Sequence, residues 1–127
     1  MGVEMLEHYT IRCRNLEATR AFYDSVLGLK PGARPDFDFP GYWIYCAGIP
    51  LVHLVEAREG DPGSAPGSHA TGPLDHIAFR GTDLERMREH FSNMGLDFEE
   101  RAVPGGRLHQ IFLRDPDGIR IELNFRS

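Results

Sequence analysis

Four side chains able to bind a cation or move a proton stand out by type and placement: His8, His53, His76 and Glu122. Each lies among β-formers and is expected on a strand. Neutral imidazole and carboxylate are donors for divalent first-row metals, and two imidazoles with one carboxylate leave coordination positions open for substrate or dioxygen. A single strand histidine is more often a satisfied core or surface residue than a ligand. The case for His8, His76 and Glu122 as metal ligands therefore rests on where the chain repeats them.

Glu122 sits in the clearest element of the chain. Asp115-Pro116-Asp117-Gly118 predicts a tight turn, with proline pre-set for its second position and glycine able to take the positive φ that closes it. From about Ile119 side chains alternate: Ile119, Ile121, Leu123 and Phe125 form an apolar row, and Arg120, Glu122 and Asn124 face the other way. A carboxylate in mid-strand needs a cation, a hydrogen-bonding partner or water.

The elements that must position these groups come twice. Met5 to Arg12 reads as a strand carrying His8, followed by a helix over 16–27 that Asn15 caps and Gly28 stops. Lys30 to Gly41, with three prolines, reads as an irregular excursion able to wall a pocket. Tyr42–Cys46 and Leu51–Val55 are expected strands around a turn, the second carrying His53. Residues 57–73, rich in Gly, Pro, Ser and Ala, read as a linker in which His69 is solvated. Leu74-Asp75-His76-Ile77-Ala78-Phe79-Arg80 then repeats Leu6-Glu7-His8-Tyr9-Thr10-Ile11-Arg12 in its Leu, acidic, His and Arg positions. A second helix is expected, capped by Asp83 or Thr82 with Glu85 completing a capping box, and with Leu84, Met87, Phe91 and Met94 as its buried stripe before Gly95.

The offset between matching residues is nearly constant, so the chain reads as a tandem duplication: module one 1–56, the linker, and module two 74–127, together one domain. Extending the register sets His53-Leu54 opposite Glu122-Leu123. If a pseudo-twofold relates the halves, His8 and His76 converge on it, as do His53 and Glu122. Arg12, Arg80 and Arg120 share the ligand faces and suit an anionic substrate. Phe37, Phe39, Trp43 and Tyr45 are placed to stack on a ring. Glu56, a rival ligand, has the opposite parity from His53, His90 falls off its helix stripe, and His109 is unassigned.

A formal net charge of −5 and the lack of a basic run argue against nucleic acid. Apolar runs are far short of a membrane span, and Glu4 and Glu7 stand where a signal peptide would be basic, then apolar, so a cytoplasmic protein is expected. The two cysteines, Cys13 and Cys46, fall in strands without metal-ligand spacing and are expected to be buried thiols.

The paired βαβββ pattern, the Leu-Glu-His-Tyr-Thr and Leu-Asp-His-Ile-Ala openings and the Asp-Pro-Asp-Gly-Ile-Arg-Ile-Glu-Leu ending resemble the vicinal oxygen chelate superfamily, which groups glyoxalase I, bleomycin resistance proteins and extradiol dioxygenases. The resemblance implies an α+β fold in which the modules form an open, cup-shaped, eight-stranded barrel with helices outside. It also implies His8, His76 and Glu122 as ligands of a divalent metal that chelates a small substrate through two adjacent oxygens, and a homodimer. Where the glyoxalase-like pattern has a glutamate ligand this chain has His53, whereas extradiol enzymes bind iron(II) through two His and one Glu and keep a nearby histidine as acid or base. The preferred expectation is therefore an extradiol-type ring-cleavage dioxygenase, an oxidoreductase with Fe(II), His53 catalytic, and Arg12, Phe39, Trp43, Tyr45 and Arg120 around the substrate. The alternatives are a glyoxalase-like lyase, isomerase or epimerase using Zn, Ni, Co or Mn, a thiol-transferring antibiotic-resistance enzyme, and a metal-free drug-binding protein.

Overall fold

A computed structural model describes residues 1–61 and 71–127. The expected linker falls largely on 62–70, with His69, and so lies outside the described residues. The chain divides into two compact units, Met1–Gly67 and Ser68–Ser127. In the first, β1 (Tyr9–Cys13), α1 (Leu16–Ser25), β2 (Pro31–Gly32), β3 (Gly41–Cys46) and β4 (Ile49–Glu56) follow in order. The second has β5 (Ile77–Arg80), α2 (Leu84–Asn93), β6 (Glu99–Ala102), β7 (Leu108–Arg114) and β8 (Arg120–Arg126).

Each unit is a four-stranded mixed sheet with one helix, ordered β1-β4-β3-β2 in the first and β5-β8-β7-β6 in the second. The first and last strands pair in parallel and the remaining pairs are antiparallel. This is the expected α+β architecture of two βαβββ modules.

Alternation divides each sheet into an apolar face and a polar face. In the first unit Ile11, Cys13, Ile44, Val52 and Leu54 are buried together with Leu16, Thr19, Tyr23 and Val26 of the helical segment. In the second Ile111, Leu113, Ile121, Leu123, Phe125 and Phe91 are buried. The helices end alike. Leu29 N–H donates to the Tyr23 carbonyl and Leu96 N–H to that of Phe91, each after a glycine at positive φ, Gly28 and Gly95. Leu96 to Phe91 is the Schellman bond, whereas Leu29 reaches one residue further back, and at either glycine an L side chain would be strained.

The helix starts differ. Asn15 accepts from Ala18 N–H at 3.0 Å, as its type predicts. Asp83, expected to cap α2, is instead left-handed at φ 61° and makes no side-chain cap bond. Its carboxylate lies 3.8 Å from Arg86, and its backbone carbonyl accepts from Met87. Of the stripe proposed for α2 only Phe91 is fully buried, and Met94 is exposed. Cys13 is buried as expected, but Cys46 only partly so.

The turn before β8 is held by its first residue. Buried Asp115 accepts from the N–H groups of Asp117 and Ile119, both at 2.9 Å, and Gly118 has φ +84°. β8 therefore enters with Ile121, Leu123 and Phe125 on the core side and Glu122 on the other. β1 and β5 begin later than expected, at Tyr9 and Ile77, because the ladder with the last strand starts there. His8 and His76 thus each sit one residue ahead of their ladders.

Candidate functional site

The register places the four candidate residues alike. Thr10 pairs with His53 and Ala78 with Glu122, and the antiparallel neighbours are Trp43 opposite His53 and Phe112 opposite Glu122. His8 and His76, two residues before Thr10 and Ala78, lie on the same faces. Each unit thus presents one pair of candidate groups on its polar face.

In the second unit the pair is His76 and Glu122. His76 Nδ1 lies 2.7 Å from an Asp75 carboxylate oxygen. An ionised carboxylate only accepts, so Nδ1 carries the proton and the neutral ring presents its lone pair at Nε2. The bond holds the Asp75 carboxyl below its ordinary value. His76 Nε2 in turn lies 3.4 Å from Glu122 Oε1, with Glu122 only 12% exposed. Two acceptors facing one another at this distance repel unless something lies between them, whether a proton on one of the two groups, a donating water or a metal ion. Donors at about 2.1 Å from one tetrahedral ion stand about 3.4 Å apart, which is the separation found. The donor chemistry and spacing therefore fit a divalent metal. The other Glu122 oxygen accepts from Asn124 Nδ2 at 2.8 Å, and Asn124 Oδ1 accepts from Gln110 Nε2 at 3.0 Å.

In the first unit the same carboxylate-to-imidazole bond recurs: His8 Nδ1 lies 3.0 Å from Glu7 Oε1, leaving Nε2 as its lone-pair nitrogen. A carboxylate behind the ring is the usual support of a ligating histidine. Among the described residues of this unit His8 has no carboxylate partner equivalent to Glu122; it stacks flat on His53, centroids 3.9 Å apart and planes 8° apart, and His53 stacks on Trp43 at 4.3 Å. Ring lone pairs lie in the ring plane, so two parallel imidazoles in this stack cannot both point at one ion. His53 Nε2 faces the Pro50 carbonyl at 3.0 Å, which assigns its proton there and its lone pair to Nδ1. Burial, with the nearby His8 adding to it, lowers the His53 pKa and keeps the ring neutral at physiological pH.

Of the residues expected around a substrate, Trp43 and Phe39 line a cleft of about 230 Å³ together with Thr10, Arg34, Phe37 and His53. Phe37 and Phe39 stack at 5.0 Å, and the Arg34 guanidinium lies over both rings while donating to the Phe39 carbonyl. Arg34, absent from the sequence reading, thus shapes the 33–40 excursion. Gly41 admits it, since a Cβ there would stand 2.9 Å from its guanidinium and 2.4 Å from the Leu54 carbonyl. Arg12 lines an adjoining cleft and lies 3.8 Å from Asp61. Tyr45 turns away to donate its hydroxyl to the Ala33 carbonyl at 2.6 Å. In the second unit Arg120 stacks over Phe112 at 4.4 Å and approaches Asp75 at 3.5 Å. His109, on the face opposite Glu122, binds Glu100 at 2.8 Å, and Glu56 pairs with Cys13, off the His53 face. Among the described residues no group of three or more His, Cys, Asp or Glu is gathered as a metal cluster, the donors of each unit coming as pairs. No helix among those residues is long and apolar enough to cross a membrane.

Two βαβββ units, each presenting a carboxylate-backed histidine on its polar sheet face, define a class of duplicated α+β proteins. The chain belongs to the glyoxalase/bleomycin resistance protein/dioxygenase superfamily, whose family model matches residues 5–123. It is 34% identical to Glyoxylase I 4 of Arabidopsis thaliana, over 93% of this chain and 68% of that protein. It is 32% identical to the lactoylglutathione lyase of Salmonella typhimurium, over 93% of this chain and 90% of the lyase. Its fold matches that of a variant of the fosfomycin resistance protein FosX from Listeria monocytogenes, crystallised with manganese(II) and a dihydroxypropylphosphonic acid. The TM-score is 0.76 at 19% identity, covering 99% of this chain and 95% of that one.

Proposed function

We propose that this chain is a glyoxalase-type lyase that depends on a divalent metal and moves a proton at the carbon beside a carbonyl of a small substrate offering two adjacent oxygens. The observation that carries the reading is the pair of lone-pair atoms, His76 Nε2 and Glu122 Oε1, facing each other at 3.4 Å. His8, His76 and Glu122 are the ligands in this reading, the two imidazoles being oriented by Glu7 and Asp75. When bound, the metal supplies positive charge to the two substrate oxygens and so stabilises the negative charge that proton removal creates. His53, neutral and with Nδ1 as its lone-pair nitrogen, is the group that takes and returns the proton. Phe39 and Trp43 meet the apolar part of the substrate, and Arg12 and Arg120 its anionic part.

The names of relatives above 30% identity, Glyoxylase I 4 and lactoylglutathione lyase, support this over ring cleavage, and nickel, zinc, cobalt and manganese are the metals to try. A cytoplasmic homodimer completes the reading, and sedimentation tests its dimeric part. The decisive assay follows thioester absorbance with metal-stripped protein reloaded with each of these metals, given lactoylglutathione or, in reverse, glutathione with a 2-oxoaldehyde. Metal-dependent turnover that H76A lacks is the expected result. Silence with every metal, or oxygen uptake by the iron-loaded protein given a panel of catechols, overturns it.

A further inference from the structure

We infer that Asn124 and Gln110 are positioning residues for metal binding: a relay of two amides that turns one Glu122 oxygen away and leaves the other free to ligate. The inference rests on the reading of Glu122 as a ligand. Its geometry is a chain of two hydrogen bonds, Gln110 Nε2 to Asn124 Oδ1 at 3.0 Å and Asn124 Nδ2 to Glu122 Oε2 at 2.8 Å, in a part-buried stretch of the β7–β8 ladder.

Chemistry fixes the direction of this chain. A carboxylate accepts only, so Asn124 must present its amide nitrogen to Glu122; its amide oxygen then faces Gln110, which must present nitrogen in turn. The outcome is asymmetric at the carboxylate. Oε2 is held by the amide, and Oε1 is the oxygen nearest His76 Nε2. A ligand oxygen is thereby selected before any ion arrives, which removes rotamer freedom that binding would otherwise have to freeze.

The other unit supplies an internal control. Where the second unit has Glu122, Asn124 and Gln110, the first has His53, Val55 and Gly41, with Gly41 opposite Val55 as Gln110 is opposite Asn124. The backbone ladder forms in both, so the fold does not need the amides. They occur in the unit whose last strand carries the carboxylate, which ties them to Glu122 and not to strand pairing.

Three proteins test this: wild type, Asn124→Leu, which removes the donor at similar size, and Gln110→Glu. The last is nearly isosteric but accepts only, so it draws the Asn124 nitrogen away and turns the amide oxygen onto Glu122. Metal-stripped proteins are titrated with cobalt(II) against a competing chelator, and the visible spectrum of each loaded protein is recorded, with thermal melts of the stripped forms alongside. The expected result is a cobalt affinity weaker by roughly 10–100-fold in both variants, an altered cobalt spectrum, and melts close to wild type. Wild-type affinity and spectrum in Gln110→Glu overturn the inference even if Asn124→Leu fails to fold. A wild-type protein that binds no cobalt overturns the ligand reading itself, and the relay with it.

Discussion

The two units lay the same ladder over different chemistry. On the first, His8, His53 and Trp43 form a flat stack of rings, and His53 satisfies its donor on one carbonyl, that of Pro50. On the second, Glu122 stands at the same register position and is tied to His76, Asn124 and Gln110 in a line of polar contacts. An imidazole is content with aromatic faces and one acceptor, because its neutral form carries no charge to compensate. A carboxylate with little exposure is not, and it brings partners from three strand segments. Duplication therefore conserved where the side chains point, and a change of residue type at one position decided how many neighbours had to change with it.

That contrast can be broken most directly at the second unit. His76→Ala or Glu122→Ala removes a donor from the facing pair, and the expected outcome is loss of bound metal and of turnover, read by elemental analysis and by the lyase assay. Retention of a full equivalent of metal in either variant would dissolve the distinction between the units. His53→Ala should act differently: a drop in kcat of about 100-fold or more with metal stoichiometry unchanged, since the stacked ring handles protons and does not ligate. If metal leaves with that ring, both units carry ligand pairs and the asymmetry is only one of residue type.

The cores offer a third comparison. α1 buries Leu16, Thr19 and Tyr23, whereas α2 buries only Phe91. With no neighbouring helix residue to share the load, Phe91→Ala should cost about 3–5 kcal/mol in urea denaturation. A cost under about 1 kcal/mol would mean that α2 is held by something other than its ring.

The smallest effect concerns how each helix is tied to its sheet. In the first unit Glu17 of α1 accepts from the Tyr42 hydroxyl; in the second Arg88 of α2 binds Glu100 of β6 at 2.8–2.9 Å. The Arg88 hydrogen bond, with a further contribution from His109, holds the Glu100 carboxyl below its ordinary value of 4.5. A folded-state pKa below the unfolded one means that the contribution is full above about pH 4.5 and fades as pH falls through the lowered value. Glu100→Gln should therefore lose about 0.5–1 kcal/mol at pH 7, as befits a largely solvated pair, and the difference from wild type should shrink in melts as pH falls from the ordinary carboxylate value through the lowered one. A difference that persists in acid would show that Glu100 acts through packing.

Much of this was legible beforehand because it depends on local rules. Period-two alternation put Glu122 opposite the apolar row of β8, and the Asp115–Gly118 turn set where that strand enters. The repeat placed His8 with His76 and His53 with Glu122 before any coordinate. Other parts were not legible. Thr82–Glu85 has the residues of a capping box, yet Asp83 takes a left-handed conformation without a side-chain cap bond. Nothing in the sequence singled out Arg34, although it lies over Phe37 and Phe39. Asn124 could be placed on the face of Glu122 by parity, but nothing local says that Gln110 stands beside it.

The sequence by itself determined the duplication, the faces of the strands and the identity of the groups able to bind a metal, because these follow from side-chain type and from backbone periodicities spanning a few residues. Only the tertiary structure decided which groups meet: the stack of His8 on His53 and Trp43, the facing nitrogen and oxygen of His76 and Glu122, and the amides behind them. Such contacts join strands distant in the chain, and ångström-scale distances between their side chains are set by sheet register and packing, which no local pattern encodes.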